Sequence, residues 1–169
     1  ASFHSSYSFK LEEHPYIEDL TVAAAYSRYD LLDGGLDTEE VHLKLIEIRT
    51  HEGDRCDFSI EFEREILTAP FEIVDGIEIA AGDYRQVEFE FEWSSSAKRP
   101  FFMEMEIEYG DYYLGDALKL ESRIFYRPSR FVQYQLGGDL TDADMPVGNF
   151  EAWTSFLGFR FTPTTQLSF

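Results

Sequence analysis

The sequence predicts an all-β fold, namely an antiparallel up-and-down transmembrane β-barrel with nine or ten visible strands, either complete or part of a larger barrel. Three observations predict it: short segments that alternate apolar and acidic side chains, connections that alternate in length, and aromatic residues at segment ends. The length of 169 residues suits one domain, so residues 1–169 are expected to form a single barrel domain or a barrel fragment.

Clusters of Gly, Pro, Asp and Ser divide the chain into segments of strand length. The alternation is weaker in two early segments, "TVAAAYSRY" and "HLKLIEI", where we expect a β-bulge to reset the face. No segment requires a helix. Strands are therefore predicted near residues 2–12, 20–30, 40–49, 56–66, 84–93, 101–110, 116–126, 131–140 and 150–162, with a partial tenth from Thr165.

The clearest alternation lies in the stretch Val87–Gly110, where a polar turn separates two strands. Each strand places apolar side chains on one face and glutamates on the other, because side chains alternate with period two. The charged face has two candidate environments, bulk water on a soluble sheet or the wet interior of a barrel whose outside contacts lipid. The next two strong patterns follow the same rule: Lys119, Glu121 and Arg123 oppose Leu118, Leu120 and Ile124, and Trp153, Leu157 and Phe159 share a face.

The connections and the aromatic residues favour the lipid environment. Short connections ("HEGD", "SSSAKRP", "RPSR", "TPTT") are expected at one end of the sheet and longer ones at the other, as in outer-membrane barrels. Two aromatic belts are expected at the membrane interfaces. The first comprises Trp93, Phe101, Phe102, Phe125, Tyr126, Phe131 and Phe161, and the second comprises Tyr109, Tyr112, Tyr113 and Phe150.

The composition excludes one class of partner. The chain has 14 basic and 33 acidic residues, for a formal net charge of −19, so it would repel nucleic acid. Cations are the more natural ligands of such a chain. Aromatic residues make up 17% of the sequence, which favours strands over helices.

From about Phe58 onward, the sequence resembles the C-terminal part of a family of bacterial outer-membrane β-barrels of unassigned function. The resemblance rests on "EREILTAPFEI" with the following "AAGDY", on Gly110–Gly115, on the Arg-Pro-Ser turn of 127–129, and on Asp144–Phe150. Members of that family typically carry an N-terminal domain that resembles carbohydrate-binding module family nine, and no such domain is seen in this sequence. The resemblance implies a Gram-negative outer membrane and a role connected with surface polysaccharides or their uptake.

The resemblance also implies partners: the lipid bilayer, the outer-membrane assembly machinery and other outer-membrane proteins. The last residue, Phe169, is similar to the terminal aromatic by which that machinery recognises its substrates.

The glutamate rows are the main candidate site. If the two strands of Val87–Gly110 form a hairpin, Glu90 is expected near Glu104 and Glu88 near Glu106, with relief of their repulsion by the next strand. One interpretation is a solvated face with salt bridges. The other is an acidic lumen that selects cationic or neutral polar solutes. The predicted lumen-facing residues are Glu88, Glu90, Glu92, Glu104, Glu106, Glu108, Lys119 and Arg123.

A second candidate site lies in "GGDLTDADMP", where Asp139, Asp142 and Asp144 are expected in a loop as oxygen ligands for calcium. No other cofactor is expected. No catalytic residues are assigned, since two nearby carboxylates occur by chance in so acidic a chain, and a hydrolase built on Glu90 or Glu104 ranks third. We expect an outer-membrane barrel that is not an enzyme and that passes or binds polar or cationic solutes or saccharides. The alternative is a soluble β-barrel or sandwich that binds a ligand.

Overall fold

The computed structural model describes residues 1–32 and 34–163, and all of their regular structure is β-strand. Residues 164–169 lie outside this range, so the predicted tenth strand and the expected role of Phe169 fall outside the described residues. The strands are β1 (Ser2–Lys10), β2 (Ile17–Asp30), β3 (Leu36–Thr50), β4 (Arg55–Leu67), β5 (Phe71–Val74), β6 (Ile77–Ile79), β7 (Gly82–Ser94), β8 (Phe101–Tyr112), β9 (Gly115–Ser129), β10 (Val132–Met145) and β11 (Gly148–Phe161).

Nine strands form one antiparallel up-and-down sheet in the order β1-β2-β3-β4-β7-β8-β9-β10-β11. The predicted all-β, up-and-down architecture is therefore confirmed. β1 and β11 lie at opposite edges and do not pair with each other, so the described sheet is not closed into a barrel. Within the described residues, no helix is long and apolar enough to cross a membrane.

Two register shifts fall in the segments where the alternation is weak. Thr21 pairs with Glu47 and Ala23 with Lys44, so β3 carries an extra residue at this point. The same irregularity appears between Lys44 and Ile46 in the pairing of β3 with β4. The bulge expected from the sequence is thus present, and it returns Glu47 to the face that carries Lys44.

The predicted alternation of short and long connections is wrong. β8 connects to β9 through residues 113–114 alone, and β10 connects to β11 through residues 146–147. The strands are longer than predicted because the period-two alternation continues through acidic residues such as Asp142 and Asp144, which were expected in a loop. The longest connection among the described strands, residues 68–81, contains a separate two-stranded hairpin, β5–β6, that was not predicted from the sequence.

Ion pairs and a backbone hydrogen bond connect two neighbouring turns. Arg99 in turn 95–100 donates to both carboxylate oxygens of Asp54, at 2.6 and 2.8 Å, and to Glu52 at 2.5 Å. The backbone N–H of Ser96 donates to Asp54 Oδ1 at 2.8 Å. Arg99 and the Ser96 amide hold the pKa of Asp54 below its usual range. These contacts join turns 51–54 and 95–100 at one end of the sheet.

We expect Asp54→Asn to lower the midpoint of thermal unfolding by about 2–4 °C at pH 7, as for loss of a modest surface interaction. Because the folded chain holds the pKa of Asp54 below the unfolded value of about 3.9, the contribution is complete above about pH 4. It is lost as the pH falls through the folded-state pKa. Melting curves from pH 2 to 7 test this, and the two proteins should converge at the acid end. A constant difference across that range would contradict the assignment.

Candidate functional site: an acidic face

One face of the sheet, the acidic face, carries all eight predicted lumen-facing residues. They lie on the three adjacent strands β7, β8 and β9, where alternation places them on the same side. The register pairs Glu90 with Glu108, Glu92 with Glu106 and Glu108 with Lys119. Glu104 lies opposite Arg123. The structure thus brings the predicted residues together.

The predicted hairpin register was wrong. Glu90 lies opposite Glu108 rather than Glu104, and Glu88 lies opposite Gly110 rather than Glu106. The prediction assumed a symmetric turn centred within "SSSAKRP". Instead, Ser95 still pairs with Met103 through hydrogen bonds of 2.9 and 2.8 Å, and the chain turns only after it.

The acidic face extends onto β4, which the sequence analysis did not single out. Asp57, Ser59 and Glu61 lie opposite Glu92, Glu90 and Glu88. The signal was available in "DFSIEFE", which has the same period-two pattern. Further acidic-face residues on the neighbouring strands are Glu40, His42, Lys44 and Glu47 on β3 and Glu63 on β4.

Lysine and arginine side chains neutralise part of the acidic face. Lys119 Nζ lies 2.8 Å from Glu108 and 3.0 Å from Glu88, so it bridges β9, β8 and β7. Lys44 Nζ likewise contacts Glu47 at 2.9 Å and Asp57 at 3.1 Å. The predicted relief of repulsion by the strand after the glutamate hairpin is therefore present for Lys119.

Arginines form the other ion pairs of this face. Arg55 pairs with Asp57 at 3.0 Å and also with Glu92. Arg123 lies opposite Glu104, within the predicted range, but its ion pair is with Glu121 on its own strand. The carboxylates of the acidic face therefore outnumber its lysines and arginines.

Several acidic-face groups lack a cationic partner among the described residues. Glu61, Glu63 and Glu106 make no ion pair there, and the nearest cationic candidate for Glu90 is His42, at 3.5 Å. Asp57 and Ser59 are each 1% exposed, and Asp57 Oδ1 and Ser59 Oγ have no hydrogen-bond partner in the described part of the chain. A cleft of about 270 Å³ also opens on this face beside Arg55, Glu92, Glu104 and Glu106. The face therefore has unused capacity to accept hydrogen bonds and to hold cations.

The opposite face, the apolar face, is the more exposed of the two. Leu157 is 79% exposed, Trp153 69% and Phe89 45%, whereas Asp57, Glu47 and Gln86 on the acidic face are buried. This reverses the arrangement of a water-soluble sheet, which buries its apolar side chains. The other large side chains exposed on the apolar face are Phe3, Tyr7, Phe9, Val22, Ile46, Phe58, Phe62, Phe101, Tyr109, Leu118, Tyr126, Tyr134, Leu136, Phe159 and Phe161.

A ladder of aromatic residues crosses four strands of the apolar face. Phe101 pairs with Tyr126, Tyr126 with Tyr134, and Tyr134 with Phe159. The rings of Tyr126 and Tyr134 are stacked with centroids 6.4 Å apart. All four side chains are exposed. The ladder lies near the ends of the strands, where aromatic belts of membrane proteins lie.

The predicted belts are only partly right. Phe101, Tyr109 and Tyr126 lie on the apolar face as expected, but Phe102 and Phe125 stack on the acidic face with centroids 4.5 Å apart. Phe102 is buried, and the Arg127 guanidinium lies 4.9 Å from its ring centroid. The aromatic residues Tyr112, Tyr113 and Phe150 belong to a different structure, the cluster beneath β5–β6.

The β5–β6 hairpin packs over one end of the acidic face. Ile79 is 0% exposed, and it forms the main apolar cluster together with Ile77. The residues beneath the hairpin come from the acidic faces of four strands. The hairpin therefore covers the end of the acidic face and does not lie on the apolar face. Its contacts in the sheet are Tyr84, Ala117, Ala143, Met145 and the glycine at 148.

The packing of the hairpin on the sheet depends on small residues beneath it. A Cβ added to Gly148 would lie 2.9 Å from Ile77 Cδ1, and Gly148 has a positive φ of 145°. Ala117 and Ala143 face each other on β9 and β10 and are almost fully buried. Larger side chains at these positions would displace the two isoleucines.

The expected calcium site is wrong. Asp139, Asp142 and Asp144 lie within β10 and not in a loop. Asp142 and Asp144 point to one face and Asp139 to the other, because side chains alternate along a strand. In the described residues there is no group of three His, Cys, Asp or Glu side chains arranged to hold a metal ion.

Comparison of the chain with protein-family models, with curated proteins and with solved structures found no match. The resemblance to the outer-membrane barrel family therefore stays a prediction, as do the membrane location and the partners derived from it.

Proposed function

We propose that this chain forms part of the wall of a β-barrel in a Gram-negative outer membrane, where it passes or binds polar or cationic solutes and performs no catalysis. The apolar face contacts lipid and the acidic face lines a water-filled interior. One observation supports this above all others: many large side chains of the apolar face are exposed, while the acidic-face carboxylates of Asp57 and Glu47 are buried. Lipid is the solvent that favours such an arrangement.

The dimensions of the apolar face support the same proposal. On β8, the apolar side chains run from Phe101 to Tyr109 without a charge. At about 3.3 Å per residue, this is roughly 26 Å along the strand. A transmembrane strand requires about 9–11 residues. Beyond Tyr109, the outer face of β8 becomes charged at Asp111, as expected at the edge of an apolar band.

The solute class follows from the charge of the acidic face. Its carboxylates outnumber its cations, and Glu61, Glu63 and Glu106 lack cationic partners in the part of the chain that the structure describes. Rows of carboxylates attract cations and repel anions. The proposed pore therefore prefers cations and neutral polar molecules, and the β5–β6 hairpin narrows one of its mouths.

The proposal requires hydrogen-bond partners for the backbone groups at the two edges of the sheet. β1 and β11 each leave one side unpaired among the described strands. Unpaired backbone N–H and C=O groups are costly in hydrocarbon, so barrels in membranes are closed. The proposal thus requires further strands beside β1 and β11. The same open edges favour the alternative, a soluble sheet that binds a ligand.

The test begins with extraction of the natural protein. We expect it to leave the membrane only with detergent and to migrate differently on a denaturing gel before and after heating. Purified protein in planar bilayers should then give a conductance that prefers K⁺ to Cl⁻. A freely soluble protein with no heat-dependent shift would reject the membrane and favour the soluble alternative. A membrane protein that prefers anions would reject the acidic pore alone.

A further inference from the structure

A groove of about 460 Å³ lies on the apolar face, toward the strand ends nearest the β5–β6 hairpin. It crosses β2, β3, β4 and β7. Its apolar lining comes from Val41, Phe62 and Val87, and Phe62 is among the exposed side chains. The proposed function does not use this groove, because the groove lies on the face opposite to the pore.

Two arginines lie side by side at the polar end of this groove. Arg64 on β4 pairs in register with Arg85 on β7. Like charges directly opposed across strands destabilise a sheet unless an anion separates them. Asp83 neutralises Arg64 through two hydrogen bonds, of 2.9 and 2.7 Å. Arg85 is exposed and makes no ion pair within the described residues.

A carboxylate completes the polar end. Glu39 on β3 lines the groove and accepts a hydrogen bond of 2.7 Å from the Tyr26 hydroxyl. Arg28 and Arg64 lie opposite Glu39 in the register, but they pair with Asp30 and Asp83, so Glu39 forms no ion pair within the described residues. The remaining charged pair close to the groove, Arg28 with Asp30, is neutral overall, with 2.9 Å between its nearest atoms. The groove thus presents a cation, a carboxylate and an apolar floor.

We propose that this groove binds a phospholipid whose headgroup carries both a phosphate and a primary ammonium, as in phosphatidylethanolamine. The phosphate pairs with Arg85, supported by Arg64, because guanidinium groups bind phosphate through paired hydrogen bonds. The ammonium pairs with Glu39, and an acyl chain lies over Phe62, Val41 and Val87. This inference rests on the proposed function, since it requires the apolar face to contact a bilayer.

The experiment is native mass spectrometry of the full chain in detergent, titrated with phosphatidylethanolamine, phosphatidylglycerol or phosphatidylcholine. We expect the wild type to prefer phosphatidylethanolamine. Arg85→Gln should weaken binding of all three lipids by about tenfold or more, as expected for loss of a charged hydrogen-bonded pair. Glu39→Gln should retain binding of phosphatidylglycerol and lose the preference for the ammonium headgroup.

Arg130→Gln is the matched control, because Arg130 is an exposed arginine at the other end of the sheet. It should bind lipid as the wild type does. Equal affinity of the wild type for the three lipids, or unchanged binding by Arg85→Gln, would overturn the inference. In either case, a detergent-dependent, heat-shifted protein would leave the proposed function standing. A protein that is soluble without detergent would reject the proposed function itself.

Discussion

Phe89→Arg should weaken insertion into membranes while its neighbour on the other face, Glu90→Arg, inserts like the wild type. Phe89 lies near the middle of β7 and is 45% exposed on the apolar face. Phe89 lies opposite Tyr109, one step along the apolar face from the charged edge at Asp111. An arginine on the lipid face of a barrel costs about 2–4 kcal/mol at the bilayer midplane and less toward the interfaces. The measurement is folding into liposomes across a urea series, read by the heat-dependent gel shift.

The two variants make a matched pair, because they introduce the same side chain at consecutive positions of one strand. If the apolar face contacted water instead, Phe89→Arg would be neutral or would improve solubility. Equal behaviour of the two variants would therefore contradict the assignment of lipid to the apolar face. Failure of Glu90→Arg alone would show that the acidic face is the one that tolerates no added charge.

Ile79→Ala should release the β5–β6 hairpin and increase the conductance of the proposed pore. Ile79 is 0% exposed and packs in the cluster with Tyr84, Ala117 and Met145. Replacing a buried isoleucine by alanine costs about 2–5 kcal/mol, which is comparable to what a small hairpin gains by packing. Single-channel recordings in planar bilayers should show a larger or more variable current.

Leu32→Ala is the control, since Leu32 lies in the connection after β2 and is fully exposed. It should leave conductance and stability unchanged. A second route to the same state is Gly148→Val, whose side chain would occupy the space of Ile77. If both hairpin variants unfold at a lower temperature than the wild type but conduct as the wild type does, the hairpin does not narrow the pore.

The faces of the sheet could be predicted from the sequence, but the hairpin register could not. The alternation of Glu88, Glu90 and Glu92 with apolar residues depends only on local backbone geometry, so it assigns each side chain to a face. Register depends on where the turn lies. In turn 95–100 this is set by contacts with Asp54 from another turn, which no local pattern reveals.

The same distinction explains the calcium site and the missed hairpin. Asp142 and Asp144 look like loop residues because Gly, Asp and Pro cluster in "GGDLTDADMP", yet they alternate with the buried Ala143 and Met145. The β5–β6 hairpin did have a local signal, since Asp75 and Gly76 form a favoured turn between apolar residues. The position where the hairpin packs had no local signal, because its contacts Ala117, Ala143 and Gly148 are distant from it in sequence.

The strand count of the sheet restricts how the wall can be completed. In a ring where every neighbouring pair is antiparallel, strand directions alternate, so the total must be even. This sheet has nine strands, and β1 and β11 run in the same direction. An antiparallel ring therefore needs an odd number of further strands. Two copies turned about the ring axis would join through parallel seams. Two copies joined antiparallel would place their β5–β6 hairpins at opposite mouths, and hence on opposite sides of the membrane.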